Sequence, residues 1–386
     1  MGGLTARAGG ERPRPDGADS PRPWAIRAWA AALALLAAGC ATWPPATASR
    51  FGWRRTDDGD LVRLPSGRSV YVELRRCNTE LPQCNTEPPV LLIHGFASNH
   101  DVWDRVEPAL RQTRTTINVD LPGFGRSDRR PGDYSPDALA ADVLSVLDGA
   151  RVAQVDVVAH SWGSSVALAL ALRARSRVRR IVLVGAWVYD AQIPPLFRWA
   201  QLPGVGEAIF GAFWGERADD RAALGFASET MVTQGMVDDV ERYLEGEGAS
   251  RAALAAVRGQ CFLQLERRYP TVRHPTLLVW GDGDRVSRLR FGERLARELP
   301  DARLEVVRGA AHFPMLERAA ATRALLVDFL GAGTARAVGS GVAASSRAIG
   351  QPTSEPGTSD PTGALPSADG VTSSPTGDPA PSTEGP

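Results

Sequence analysis

The chain has 386 residues, with 44 acidic and 44 basic side chains and a formal net charge of zero; every basic residue is Arg, since no Lys occurs. A balanced charge gives no electrostatic reason to expect nucleic acid as a partner, and an apolar content of 43% lies in the globular range. A collagen, a coiled coil, a polytopic membrane protein and a wholly disordered chain are excluded. Setting aside the first 40 residues and about the last 55 leaves roughly 290, enough for one large α/β domain.

Residues 28–39, A-W-A-A-A-L-A-L-L-A-A-G, are followed by Cys40. Twelve apolar residues span about 18 Å as a helix, against about 30 Å of bilayer hydrocarbon. That length suits the core of a signal peptide better than a permanent span. Arg22 and Arg27 stand on its N-terminal side, as a signal requires. The closing A-A-G-C resembles the lipobox of bacterial lipoproteins, which implies cleavage before Cys40 and acylation of its thiol. An ordinary cleaved signal or an uncleaved anchor is the alternative. The expected order is then a signal peptide over 1–39 and a tether over 40–58, with the protein exported to the cell envelope and held on the membrane by its lipid.

Cysteine use agrees with export. Cys77 and Cys84 lie in C-N-T-E-L-P-Q-C, where they can close a small disulfide loop in an oxidising compartment. Cys261 is left over and reads as a buried core residue.

The segments D-L-V-R-L-P and S-V-Y-V-E-L-R alternate around P-S-G, a hairpin signal. P-V-L-L-I-H-G (89–95) reads as a buried strand. Val102, Val106 and Leu110 at a spacing of four predict a helix over 101–112. T-I-N-V-D (116–120) is the next strand, and Ser135 caps a helix through Leu147 with Pro136 in its first turn. V-D-V-V-A (155–159) is a strand, 162–174 an Ala/Leu-rich helix, and I-V-L-V-G (181–185) a further strand. Later come T-L-L-V-W-G (276–281), L-E-V-V (304–307) and a last helix over 315–330. Strands alternating with helices predict an α/β fold with a mostly parallel sheet covered on both faces.

The alternation stops between about 188 and 270, where helical segments and the aromatic residues Trp199, Phe210, Phe213 and Trp214 suggest an inserted helical cap. The core is thus expected in two parts, 59–187 and 271–331. From 332 order should fade. Residues 351–386 hold 25 Pro, Ser, Thr or Gly among 36 and no aromatic residue, too little apolar surface to offset the entropy of ordering.

V-V-A-H-S-W-G-S-S (157–165) carries the chemistry. A β-branched run leads into small–x–Ser–x–small and then a helix. Ala159 and Gly163 allow a turn so sharp that the Ser161 side chain stands clear of the sheet, beneath the N-terminus of the next helix. A serine needs a base. Five His are present. His94 begins H-G-F and most simply shapes its loop, His160 is the x of the turn and should face away from Ser161, and His100 and His274 lie in loops. His312, in G-A-A-H-F-P after a strand, is the best base by position. For the acid that orients it, G-D-G-D offers Asp282 and Asp284. The G-x-x-D spacing favours Asp284, with Asp190 a third candidate.

Together these stretches resemble the α/β-hydrolase fold family, in its form with a helical cap. The resemblance is carried by H-G-F-A-S-N-H-D-V-W (94–103), D-L-P-G-F-G-R-S-D (120–128), A-H-S-W-G-S-S (159–165), W-G-D-G-D-R-V (280–286) and G-A-A-H-F-P-M-L-E (309–317), in that order. It implies Ser161 as nucleophile, Asp284 as orienting acid and His312 as base. The backbone N–H groups of Phe96 and Trp162 would form the oxyanion hole. The activity implied is hydrolysis of a small, partly apolar ester or lactone by a serine esterase.

An acyltransferase, a C–C bond hydrolase, a haloperoxidase, a prolyl iminopeptidase-like enzyme and a non-catalytic binding protein are the alternatives. The H-G-F-A-S loop departs from the H-G-G-P-G of iminopeptidases. A metal-ligand cluster and a phosphate loop are both lacking, so no metal or cofactor is implied. Gly123 and Gly125 serve a tight loop, Ser127 and Asp128 hydrogen-bond within it, and the Arg pairs at 54–55, 129–130 and 179–180 read as solvated faces.

Overall fold

The computed structural model describes residues 52–56, 59–77, 84, 86–213 and 225–331. The signal-like segment with Cys40, the residues Phe213 (side chain) and Trp214, and the Pro/Ser/Thr/Gly-rich tail lie outside the described residues.

Nine strands form one sheet in the order β1-β2-β3-β5-β4-β6-β7-β8-β9. They are β1 Gly52–Arg55, β2 Asp60–Arg63, β3 Ser69–Arg75, β4 Val90–Ile93, β5 Thr116–Val119, β6 Val155–His160, β7 Val178–Val184, β8 Thr276–Gly281 and β9 Ala302–Val307. The first three are antiparallel, and β3 joins β5 antiparallel. Every pairing from β5 to β9 is parallel, which is the mostly parallel sheet the sequence implied. All residues of β4, β5, β6 and β8 are buried, as expected of parallel strands covered on both faces. The period of two sorts them: Leu91 and Ile93 enter one apolar cluster, Val90 and Leu92 the other.

Helix α1 (Pro136–Gly149) starts where Ser135 Oγ accepts the Ala138 N–H at 3.3 Å. Helix α2 (Gly163–Arg173) follows β6. Between β7 and β8 the described residues form helices and no strand, chiefly α3 (Pro195–Ala200), α4 (Val205–Phe213), α5 (Gln234–Glu245) and α6 (Ala249–Arg258). Helix α7 (Leu289–Glu298) links β8 to β9, and α8 (Ala319–Gly331) ends the described core.

Several local expectations are corrected. Residues 52–55, placed in the tether, pair with β2 as an edge strand. The helix expected over 101–112 is a 3₁₀ turn, His100–Trp103, and a separate short helix, Glu107–Leu110. Pro108 sits in the first turn of the latter; it lacks an N–H and its ring would collide with the preceding turn of a continuous helix. The last helix is likewise divided at Arg318, which leaves helical geometry at φ −132°, ψ 53°. Helix α7 carries little sequence signal, because its buried face is only Phe291, Leu295 and a glycine among Arg and Glu.

Cys77 and Cys84 form a disulfide between β3 and β4, with Cα atoms 5.8 Å apart. Cys261 is half-buried rather than a core side chain, and its sulfur is also disulfide-bonded rather than left over.

Candidate active site

Strand β6 lies in the middle of the sheet, and its chain turns abruptly into α2. Ser161 makes that turn at φ 49°, left-handed geometry that is strained for any side chain. Three backbone bonds hold it there. The Ser161 N–H donates to Val184 O at 2.9 Å, and Ser161 O accepts from Ser164 N–H at 2.9 Å and Trp187 N–H at 3.0 Å. A side chain at position 163 is impossible without movement, since a Cβ would fall 2.2 Å from His94 O. The glycine therefore lets α2 lie against the end of β4. No side chain caps the α2 N-terminus, so its positive dipole end faces the turn unshielded by a cap.

His312 arrives on the loop after β9 and Asp284 on the loop after β8. The His312 Nε2 lies 2.9 Å from Ser161 Oγ, and its Nδ1 lies 2.9 Å from Asp284 Oδ2. All three residues are buried. The second carboxylate oxygen of Asp284 accepts N–H bonds from Val286 at 2.9 Å and Ser287 at 2.7 Å. A carboxylate held this way accepts from Nδ1–H, which leaves the Nε2 lone pair toward the serine hydroxyl. The other two acid candidates are elsewhere: Asp282 accepts the Gly309 N–H at 2.8 Å, and Asp190 pairs with Arg198 at 2.8 Å.

Phe96 follows β4, and its neighbour Ala97 takes φ 52°. Trp162 is the N-cap of α2. Their rings meet those of Phe124 and, from the insertion, Phe197 of α3: Phe96 is 5.4 Å from Phe124, 6.2 Å from Trp162 and 5.6 Å from Phe197 between centroids. An apolar wall thus flanks the two backbone N–H groups proposed from the sequence.

The remaining histidines have other duties. His94 Nδ1–H donates to Gly95 O at 2.7 Å, while its Nε2 accepts the Leu121 N–H at 2.8 Å. Burial pushes its pKa down, in keeping with this neutral tautomer. His160 packs against His312, with ring centroids 4.7 Å apart, and its Nε2–H donates to His312 O at 2.9 Å. Burial, and then the nearby His312, hold its pKa well below the ordinary value. His274 bonds Arg175 O at 3.1 Å.

His100 is a buried partner of carboxylates rather than a plain loop residue. Its Nδ1 lies 2.9 Å from Asp120, and its Nε2 3.2 Å from Asp101 and 3.4 Å from Glu73. Two further supports were not found in the sequence. Gln192 donates to Ser287 Oγ at 2.7 Å, behind Asp284. Glu317 bonds the backbone on both sides of His312. The only signal for Glu317 was its place at the end of the G-A-A-H-F-P-M-L-E stretch; Gln192 gave none.

Residues 88–319 match the α/β-hydrolase fold family. An uncharacterized Mycobacterium tuberculosis protein is 33% identical over an alignment of 246 positions that covers 59% of this chain and 70% of that protein. The 2-hydroxymuconate semialdehyde hydrolase of a Pseudomonas species is 28% identical over an alignment of 270 positions that covers 65% of this chain and 89% of the relative. Among solved structures, a thermophilic esterase from Thermogutta terrifontis superposes with a TM-score of 0.58 at 20% identity, covering 73% of this chain and 98% of the esterase.

Proposed function

This chain belongs to the α/β-hydrolase fold family, and from that premise we propose that it is a serine hydrolase that cleaves carboxylic esters or lactones through an acyl-enzyme. The observation that carries the reading is the unbroken path Ser161 Oγ–His312–Asp284, with 2.9 Å at each step. His312 Nε2 takes the hydroxyl proton as Ser161 Oγ attacks the carbonyl carbon. The Phe96 and Trp162 N–H groups receive the oxyanion, aided by the N-terminus of α2. The imidazolium, steadied by Asp284, returns the proton to the leaving alkoxide. Water, deprotonated by the same imidazole, then releases the acid and regenerates the hydroxyl.

The aromatic wall of Phe96, Phe124, Trp162 and Phe197 favours an apolar substituent beside the carbonyl. Ser161→Ala is expected to abolish fluorophosphonate labelling and to lower p-nitrophenyl ester hydrolysis by roughly 10⁴-fold or more. Wild-type protein that refuses the probe and turns over no ester would sink the proposal.

A second reading, hydrolysis at a carbon–carbon bond, draws on the relative named as a 2-hydroxymuconate semialdehyde hydrolase. Turnover of that semialdehyde in preference to every ester tested would favour it. Transfer of the acyl group to an added alcohol, faster than to water, would instead mark an acyltransferase.

Export with lipidation of Cys40 is supported by the A-A-G-C sequence. Among the described residues no helix is long and apolar enough to cross a membrane. The intact mass of the mature N-terminal peptide is expected to show a diacylglyceryl group on Cys40; an N-terminal peptide recovered with Cys40 unacylated would overturn lipidation.

A further inference from the structure

We propose that Glu317 is a positioning residue that couples the helical insertion to the imidazole of His312, so that the seating of the insertion and the alignment of the base are one event. The proposal rests on the reading of His312 as general base. Glu317 is buried, yet its carboxylate makes three bonds to backbone N–H groups. Oε1 accepts from Ala311 at 3.0 Å and from Phe313 at 3.1 Å, on either side of the histidine. Oε2 accepts from Ala227 at 2.8 Å, which belongs to the insertion.

The histidine's own peptide groups are held from two directions. Its N–H donates to Gly225 O at 2.9 Å, again in the insertion, and its C=O accepts from His160 Nε2–H at 2.9 Å. Between Gly225 and Ala227, the buried Phe226 stacks on Phe313 with centroids 5.0 Å apart and planes 18° from parallel. Residues 225–227 and 311–313 are therefore tied by a direct backbone bond, a ring stack and one shared carboxylate.

The chemistry explains why an acid stands here. A carboxylate is acceptor-only and offers about four lone-pair sites, so one side chain can satisfy three converging N–H groups. No neutral side chain does so without presenting a donor. Displacing the insertion segment from Oε2 leaves a buried N–H and part of a buried charge unsatisfied, so the carboxylate would follow it or lose its hold on the histidine loop. A substrate that fits beneath the insertion is thereby read at the base, while a poorly fitting one leaves the imidazole misaligned.

The test compares Glu317→Gln and Glu317→Ala in the full chain, with active sites counted by fluorophosphonate titration. In Gln the amide oxygen can keep the bonds to Ala311 and Phe313, but its NH₂ faces the Ala227 N–H, donor against donor. Glu317→Gln is expected to raise KM about tenfold and to lower kcat per titrated site by about threefold, each lost tie to a charged acceptor counting for a factor of this order. Glu317→Ala, which frees the histidine loop as well, is expected to lower kcat per titrated site at least about thirtyfold. A role confined to folding would cut the titratable fraction in both variants while kcat and KM of the remaining sites stayed at wild-type values, and this result would overturn the coupling.

Amide hydrogen exchange of the wild-type protein supplies a readout that needs no variant to fold. The Ala227, Ala311 and Phe313 amides should exchange as one unit and slow together once Ser161 is labelled. Independent exchange of Ala227 would overturn the proposal. Wild-type protein that does not react with the probe would defeat the serine-hydrolase reading instead, and exchange of the three amides in the unlabelled protein would still decide whether they are coupled.

Discussion

Ser161 and Gly185 are both left-handed in backbone, at φ 49° and 52°, and they lie on neighbouring strand ends. A serine in this conformation is strained by about 1–3 kcal/mol; the bonds to Val184, Ser164 and Trp187 hold it there. Gly185 has a different constraint. A Cβ there would lie 3.2 Å from both Asp284 Oδ2 and His312 Nδ1. Gly185→Ala is therefore expected to part the carboxylate from the imidazole and to lower kcat/KM by about 10–100-fold, a loss of the size seen when positioning at a reacting centre slips. Asp284→Asn should leave the fold intact and lower kcat by about 10⁴-fold, since the amide favours the wrong tautomer. Steady-state kinetics beside circular dichroism would check both; near-wild-type turnover in Asp284→Asn would remove its assigned role.

His100 sets a pH dependence at the same scale. Burial disfavours its charged ring, but Asp120, Asp101 and Glu73 outweigh that cost and raise its pKa above 6.5. Arg75 is paired with Glu73, and Asp104 adds a further negative charge nearby. Because the folded value exceeds the unfolded one, the stability the imidazolium contributes is complete below about pH 6.5 and is lost as pH rises through the folded value. The Tm advantage of wild type over His100→Gln should thus be greatest in mild acid and shrink toward alkaline pH. An advantage that grows with pH would contradict the assignment.

At the scale of elements, the strands were legible wherever β-branched residues ran together, because parallel strands buried on both faces have no polar alternation to obscure them. Helix α1 was legible from Ser135 and Pro136, whose effects are local. In the 101–112 segment the apolar spacing points to one helix, while Pro108 starts a separate short one. Strand β1 was missed for the opposite reason: all four residues are exposed, and only its pairing with β2 makes it a strand.

The Cys77–Cys84 disulfide spans one short connection, with seven residues of sequence separation. Closing a loop of that size stabilises the folded state by about 2–3 kcal/mol in the chain-entropy account. Replacing both cysteines by Ser should lower the unfolding free energy by that amount, and the urea midpoint with it, without changing ester turnover. A midpoint unaffected by the double substitution, and by reductant in the wild type, would show the bridge to be absent in solution.

Across the whole described core, the insertion between β7 and β8 decides what surrounds the serine. Its aromatic residues divide sharply: Phe210 is buried, Phe197 packs on Phe96, and Trp199 stands 63% exposed. The Arg179–Arg180 pair, read as a solvated face, also changes meaning. Arg179 reaches the fully buried Asp156 at 2.6 Å, and Arg114 joins the same carboxylate at 2.7 Å. Neither distinction follows from residue type, since each depends on which elements pack against the one concerned.

What the sequence determined by itself was the α/β class, the turn that presents Ser161, and the candidates for base and acid, because each rests on a run of neighbouring residues whose conformational preferences act within a few positions. Only the tertiary structure decided that Asp284, rather than Asp282 or Asp190, reaches the imidazole, and that Glu317 ties residues 311–313 to the insertion. Asp284 and His312 are 28 residues apart in the chain and Ala227 and Glu317 are 90 apart, and hydrogen bonds fall off within tenths of an ångström. Their existence depends on strand register and loop course together, which no local pattern specifies.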